Sequence, residues 1–123
     1  MERNALTQTI IVKAIEIHKE LGPGLLESAY QKCLSFELTQ AGFLVETEKE
    51  LAVTYKELKI KPGYRIDLLV ENRIVVEVKH VETLTELHTA QVLTYMKFGQ
   101  YDTGLLLNFN NRILKNGIRR LVL

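Results

Sequence analysis

"YRIDLLV", Tyr64 to Val70, and "IVVEVKH", Ile74 to His80, are the two most strand-like runs in the chain, and both carry charges. Strand side chains alternate between faces, so Glu77 and Lys79 point one way while Val76 and Val78 point the other. Asp67, on the first run, is expected to share its face with Arg65 and Leu69. Glu71-Asn72 reads as a tight connection, which predicts an antiparallel hairpin. Asp67 then lies opposite Glu77 to within about a residue or two, because register follows the turn type.

Outward from this hairpin the pattern alternates between periods of 3.6 and 2. Ile10, Ala14, Ile17 and Leu21, flanked by Ile11 and Ile15, predict a helix over Asn4 to Leu21. "GPG", Gly22 to Gly24, stops it. A second helix is expected from Leu25 to Gln40, with Leu26, Tyr30, Cys33, Leu34 and Leu38 on its apolar side and Gly42 just beyond its end. From Phe43 the period drops to 2, giving a strand bent or interrupted near Glu48 and Lys49. Lys61-Pro62-Gly63 reads as a break before the Tyr64 to Val70 strand. A third helix has Thr83 or Thr85 as N-cap, Leu84, Leu87, Leu93 and Met96 as its apolar side, and Gly99 as its end. "TGLLLNF" reads as a strand buried on both faces. "RILKNGIRRLVL" reads as one or two short strands around an Asn-Gly turn. The order is α-α-β-β-β-α-β-β, an α/β sandwich with a mixed sheet.

The chain has 123 residues, enough for one domain, 1–123, with one core. It is 46% hydrophobic and 25% charged, as in ordinary globular proteins. No apolar run approaches the roughly 20 residues of a membrane span. The start, "MERNALTQTI", lacks the pattern of a signal peptide, so a cytoplasmic location is expected. Cys33 is the single cysteine, which excludes an internal disulfide and a cysteine metal site. On the apolar side of its helix it reads as a core residue. A net charge of +1 neither requires nor excludes nucleic acid.

The charges inside the hairpin admit two explanations. One is a solvated sheet face with a Lys–Asp pair, worth about 0–1 kcal/mol. Against it, three helices would cover both faces, and a buried unpaired charge costs several kcal/mol. The other is a divalent-metal site. Asp67 and Glu77 supply hard carboxylate oxygens for Mg²⁺ or Mn²⁺, and the Val78 carbonyl offers a third oxygen. Such an ion polarises a phosphate and activates water. Lys79 would position that water or stabilise the charge that develops. These are the parts of phosphodiester hydrolysis.

An acid on one strand, then "EVK" on the next, then a helix, resembles the PD-(D/E)XK nuclease superfamily. "GLLESAY", Gly24 to Tyr30, resembles the signature of the small bacterial GxxExxY family. "YRIDLLV", "VVEVKHVETLTELHTAQVLTYM" and "GLLLNF" look like that family's remaining blocks, in order. The resemblance runs from about Ile10 to the end. It implies a restriction-endonuclease-like core, a mixed β-sheet flanked by helices, and a metal-dependent nuclease with Mg²⁺ or Mn²⁺ as cofactor and nucleic acid, expected to be DNA, as substrate. It also implies that Glu27 joins the metal site. "QVLTY", Gln91 to Tyr95, resembles the glutamine–tyrosine motif of the RecB-like branch, in which the glutamine orients the catalytic groups and the tyrosine lies near the substrate backbone. "RID" stands where the pattern has "PD". The alternative is a catalytically silent module of the same fold that binds nucleic acid or a protein partner.

Beside the resemblance, Glu27 and Tyr30 share a helical face, and Glu27 also suits the first turn of any helix. His88, Gln91 and Tyr95, spaced i, i+3, i+7, form a polar stripe that either lines a cleft or is a half-exposed flank. His80 is a further loop candidate for phosphate. Arg65, Lys97, Lys115, Arg119 and Arg120 are candidate phosphate contacts. A homodimer would enlarge the footprint of so small a chain.

Overall fold

The computed structural model describes residues 1–123, apart from the side chains of Lys61 and Pro62. Helices α1 (Arg3–Leu21) and α2 (Glu27–Gln40) precede strands β1 (Val45–Tyr55), β2 (Leu58–Val70) and β3 (Ile74–Lys79). Helix α3 (Glu86–Gly99), strand β4 (Thr103–Asn108), a 3₁₀ turn (Leu114–Gly117) and strand β5 (Ile118–Val122) follow. The expected order is observed, with the Asn-Gly segment forming the 3₁₀ turn and a single strand after it. The five strands lie in sequence order. β3 and β4 are parallel and the other pairs antiparallel, so the sheet is mixed. The parallel pair needs a crossover, which α3 supplies.

The two faces of the sheet have separate cores. Leu6, Ile10, Ala14 and Ile17 of α1 and Tyr30, Leu34 and Leu38 of α2 pack on Ile74, Val76 and Val78. Val92, Tyr95 and Met96 of α3 pack on Val75, Leu69 and Leu106. β4 is buried along its whole length, as expected of a strand covered on both faces. A Cβ at Gly104 would meet Met96 Sδ and Val92 Cγ1 at 2.8 Å, so the missing side chain lets α3 seat directly on β4. No helix is long and apolar enough to cross a membrane.

Three expected core residues are exposed. Leu21, Leu26 and Leu87 are 43%, 77% and 78% exposed. Leu21 ends α1, Leu26 is the N-cap of α2, and Leu87 lies in the first turn of α3, so each apolar stripe leaves the sheet before reaching them. Thr85 is the N-cap of α3, in a capping box closed by the His88 ring. Gly99 is its last residue, and Gln100 takes the left-handed cap. The break expected at Lys61-Pro62-Gly63 lies within the bounds of β2, and the pairing with β1 slips register between Leu51 and Val53. The side chains of Lys61 and Pro62 fall outside the described set.

The interruption expected near Glu48 is a positive φ of 50° at that residue, within β1. Glu48 sits between the pairs Thr47–Leu68 and Lys49–Ile66, directly across from Asp67. The alternation of β2 breaks there too. Leu68 packs on the α1/α2 side, whereas Ile66 joins Leu69 on the α3 side. Arg65 therefore does not share the face of Leu69. It is exposed and lies 3.9 Å from Glu50.

Candidate active site

The β2–β3 ladder runs from Val70–Ile74 to Leu68–Val76, and the next pair in register is Asp67 with Glu77. At that point side chains replace the backbone carbonyls. The Asp67 N–H donates to Glu77 Oε2 at 2.7 Å, and the Val78 N–H donates to Asp67 Oδ2 at 2.8 Å. The change of face in β2 falls at this same residue, where the ladder ends. The two bonds tie each acid to the backbone of the opposite strand.

Glu77 is 2% exposed, and Asp67 is half-buried. Burial, then the Asp67 charge, pushes the Glu77 carboxyl up to about 8. Burial also pushes Asp67 up to about 6, against the Val78 hydrogen bond and the Lys79 charge, which pull it down. Each acid is thus held in a place that disfavours two negative charges side by side. Lys79, half-buried at the end of β3, acts on both by its charge, yet its ammonium lies beyond 4.0 Å of every carboxylate among the described residues.

Glu27 opens α2, and its Oε2 accepts the His80 N–H at 2.8 Å. Its charge also reaches Asp67. Tyr30, one turn on, is fully buried and stacks on Phe109 at 4.3 Å. Its hydroxyl donates to the Gly22 carbonyl and accepts from the Leu25 N–H, clamping the Gly-Pro-Gly turn. The His80 ring bonds the Pro23 carbonyl, so that ring is committed to the same turn. Glu27 and Tyr30 of "GLLESAY" thus join the α1–α2 turn to the end of β3.

On the α3 side, Lys79, His88, Gln91, Tyr95 and Tyr64 line an open groove of about 460 Å³. Burial and the charges of Glu77 and Asp67 push the Tyr95 hydroxyl up to about 12, which places it beside the acids. His88 Nδ1 accepts from the Thr85 N–H at 2.9 Å, so in a neutral ring Nε2 carries the proton and is a donor.

Three further residues belong to this arrangement and were not expected. The Glu48 charge acts on both Asp67 and Glu77. Gln31 Nε2 bridges Glu48 Oε1 at 2.8 Å and the Asp67 carbonyl at 3.3 Å. Asn108, buried at the end of β4, pairs with both the N–H and the carbonyl of Val81 and fixes the chain leaving Lys79. The strand interruption at Glu48 was the one signal in the sequence. Arg119 is spent elsewhere: its guanidinium bonds the Leu84 and Thr85 carbonyls and Thr89 Oγ1, tying β5 to α3. Arg120 bonds Asn4.

The donor chemistry fits a hard divalent cation. A buried and a half-buried carboxyl group each use one oxygen on a backbone N–H and keep the other, and burial first, then neighbouring negative charge, raises both pKa values, a setting in which a cation would favour the ionised forms. Among the described residues no group of three or more His, Cys, Asp or Glu side chains is assembled to hold a metal. The geometry therefore offers a two-carboxylate centre, with Glu27 engaged on His80.

Comparisons with curated proteins and with solved structures return no match. A family model described as the PD-(D/E)XK nuclease superfamily matches residues 4–121. With the acid strand, the E-x-K strand and the parallel β3–β4 pair all inside that span, the chain belongs to the PD-(D/E)XK nuclease superfamily.

Proposed function

We propose that this protein is a metal-dependent nuclease that hydrolyses phosphodiester bonds of DNA. The observation that carries the reading is the pairing of Asp67 and Glu77 at the end of the β2–β3 ladder, with the unpaired Lys79 amine beside them. Asp67 and Glu77, with the Val78 carbonyl and Glu27 as further oxygens, would hold Mg²⁺ or Mn²⁺. Bound there, the ion would polarise the phosphate and lower the pKa of a water.

The chain's own groups do the rest. Lys79 orients the water and stabilises the charge that develops on the phosphate oxygens. Water oxygen bonds to phosphorus as the phosphorus–sugar oxygen bond breaks, and the sugar oxygen takes up a proton. Gln91 orients the catalytic groups, and Tyr95 and His88 contact the substrate backbone from the groove wall. Arg65, exposed and facing Glu50, is at most an outer contact to phosphate. The GxxExxY family and the RecB-like branch are the finer placement that "GLLESAY" and "QVLTY" support. A cytoplasmic location and a homodimer complete the reading.

One observation favours a second reading. Both acids are already tied to backbone amides, and no three-member metal cluster stands assembled among the described residues. A silent module that binds nucleic acid or a protein partner would tolerate that. The two readings part in a cleavage assay on plasmid and single-stranded DNA with Mg²⁺ or Mn²⁺. Cleavage by the wild type that falls about 10²-fold or more in Lys79→Ala supports the nuclease. Equal background activity for both, with a gel shift retained, supports the module.

A further inference from the structure

A second concave site is lined in part by Gly22 and Pro23 of the Gly-Pro-Gly turn. It is a cavity of about 520 Å³ between the end of α1 and the segment that follows β4. Lys19, Arg112 and Lys115 stand around it, all exposed and none within 4.0 Å of a carboxylate among the described residues. None of the nine residues lining it is acidic. In a chain whose net charge is only +1, three unneutralised cations around one hollow are a concentrated positive field.

His18, 6% exposed, belongs to the wall, with its ring centroid 6.1 Å from that of Phe109. Ile15, Ile113 and Leu114 supply the apolar part of the wall.

Position ties this hollow to the acids. β3 and β4 are parallel, and the acid site lies at the carboxyl end of β3. Arg112 and Lys115 follow the carboxyl end of β4. Ligands of open α/β sheets bind at that end of the strands. Pro23, which lines the hollow, accepts a hydrogen bond from His80, the residue after Lys79, through its carbonyl.

We propose that this hollow binds a backbone phosphate of the nucleic-acid strand, flanking the position held by Asp67 and Glu77. The inference rests on the nuclease-fold reading but not on catalysis. Lys19, Arg112 and Lys115 neutralise the strand, which crosses the carboxyl ends of β3 and β4 from the α3 groove to the end of α1. The acids alone would repel a polyanion, and this patch offsets that repulsion.

The test is the affinity of the protein for a labelled single-stranded oligonucleotide in EDTA, measured across a salt series. Lys19→Ala/Arg112→Ala/Lys115→Ala is expected to weaken binding about tenfold or more and to lower the slope of log K against log salt by about 2. Lys115→Glu, an exposed single change that leaves the core intact, is expected to weaken binding in the same direction. Lys32→Ala/Lys59→Ala, two exposed cations elsewhere, is expected to bind as wild type. Oligonucleotides with and without a terminal phosphate should bind alike. Unchanged affinity and salt slope in the triple variant overturn the proposal, as does binding of a free mononucleotide with no binding of the oligonucleotide. A wild type that binds in this charge-dependent way but never cleaves with Mn²⁺ keeps this inference and removes the nuclease reading. A wild type that cleaves, with a triple variant that binds normally, does the reverse.

Discussion

Glu77 accepts the backbone N–H of Asp67 at 2.7 Å, while Asp67 reaches past it to accept the N–H of Val78 at 2.8 Å. Each acid therefore holds the strand that carries the other. The arrangement places two carboxyl groups where burial and mutual repulsion oppose ionisation.

That opposition sets a pH dependence. Both folded-state values, about 8 for Glu77 and about 6 for Asp67, lie above the ordinary 4.5 and 3.8. The folded state therefore holds these protons more tightly than the unfolded chain. Their contribution to stability is full below about pH 4 and is lost as pH rises through about 6 and then about 8. In EDTA, the melting temperature is expected to fall between pH 5 and pH 8, with Mn²⁺ restoring it at the upper end. Glu77→Gln should flatten the profile. Thermal melts at several pH values check this, and a melting temperature that climbs with pH in EDTA would contradict it.

Glu48 combines backbone strain with a charge aimed at the acids. A left-handed residue with a side chain costs about 1–2 kcal/mol, and asparagine tolerates that conformation best after glycine. Glu48→Asn is expected to raise stability by about 0.5–1 kcal/mol, because it relieves both φ and repulsion. The same change should weaken Mn²⁺ binding several-fold. Denaturant midpoints and Mn²⁺ titration followed by electron paramagnetic resonance read the two effects separately. A loss of stability would show that the Gln31–Glu48 bond outweighs the strain.

Tyr30 spends its hydroxyl on both sides of the Gly-Pro-Gly turn while its ring stays in the core. Tyr30→Phe keeps the stacking on Phe109 and leaves the Leu25 N–H and the Gly22 carbonyl without that partner. The expected cost is about 1–3 kcal/mol. Faster amide exchange at Leu25 and His80 should accompany it, since both depend on the turn. Unchanged exchange at His80 would separate the turn from the acid site.

Much of this was legible in the chain. The hairpin at Glu71-Asn72, the alternation of Ile74 to Lys79 and the helical stripe of His88, Gln91 and Tyr95 are local patterns, and local patterns fix element type and register. The paired acids followed from them. What could not be read depends on contacts distant in sequence. Gln31 meets Asp67 across 36 residues, Asn108 meets Val81 across 27, and Arg119 meets Leu84 across 35. No period in the sequence encodes those meetings. Arg65 was misplaced because strict alternation was carried through Asp67, where the kink across from Glu48 resets the faces. Leu21, Leu26 and Leu87 have the right spacing for a core, but the sheet does not extend beneath them.

The account turns on one ion between two residues. Crystals soaked in Mn²⁺ and measured at the manganese absorption edge would test it directly. The expected result is an anomalous peak with oxygen atoms of both Asp67 and Glu77 about 2.0–2.3 Å away, lost in Asp67→Asn. A protein that takes up no Mn²⁺ at this pair, or binds it only elsewhere on the surface, would contradict the metal-dependent nuclease.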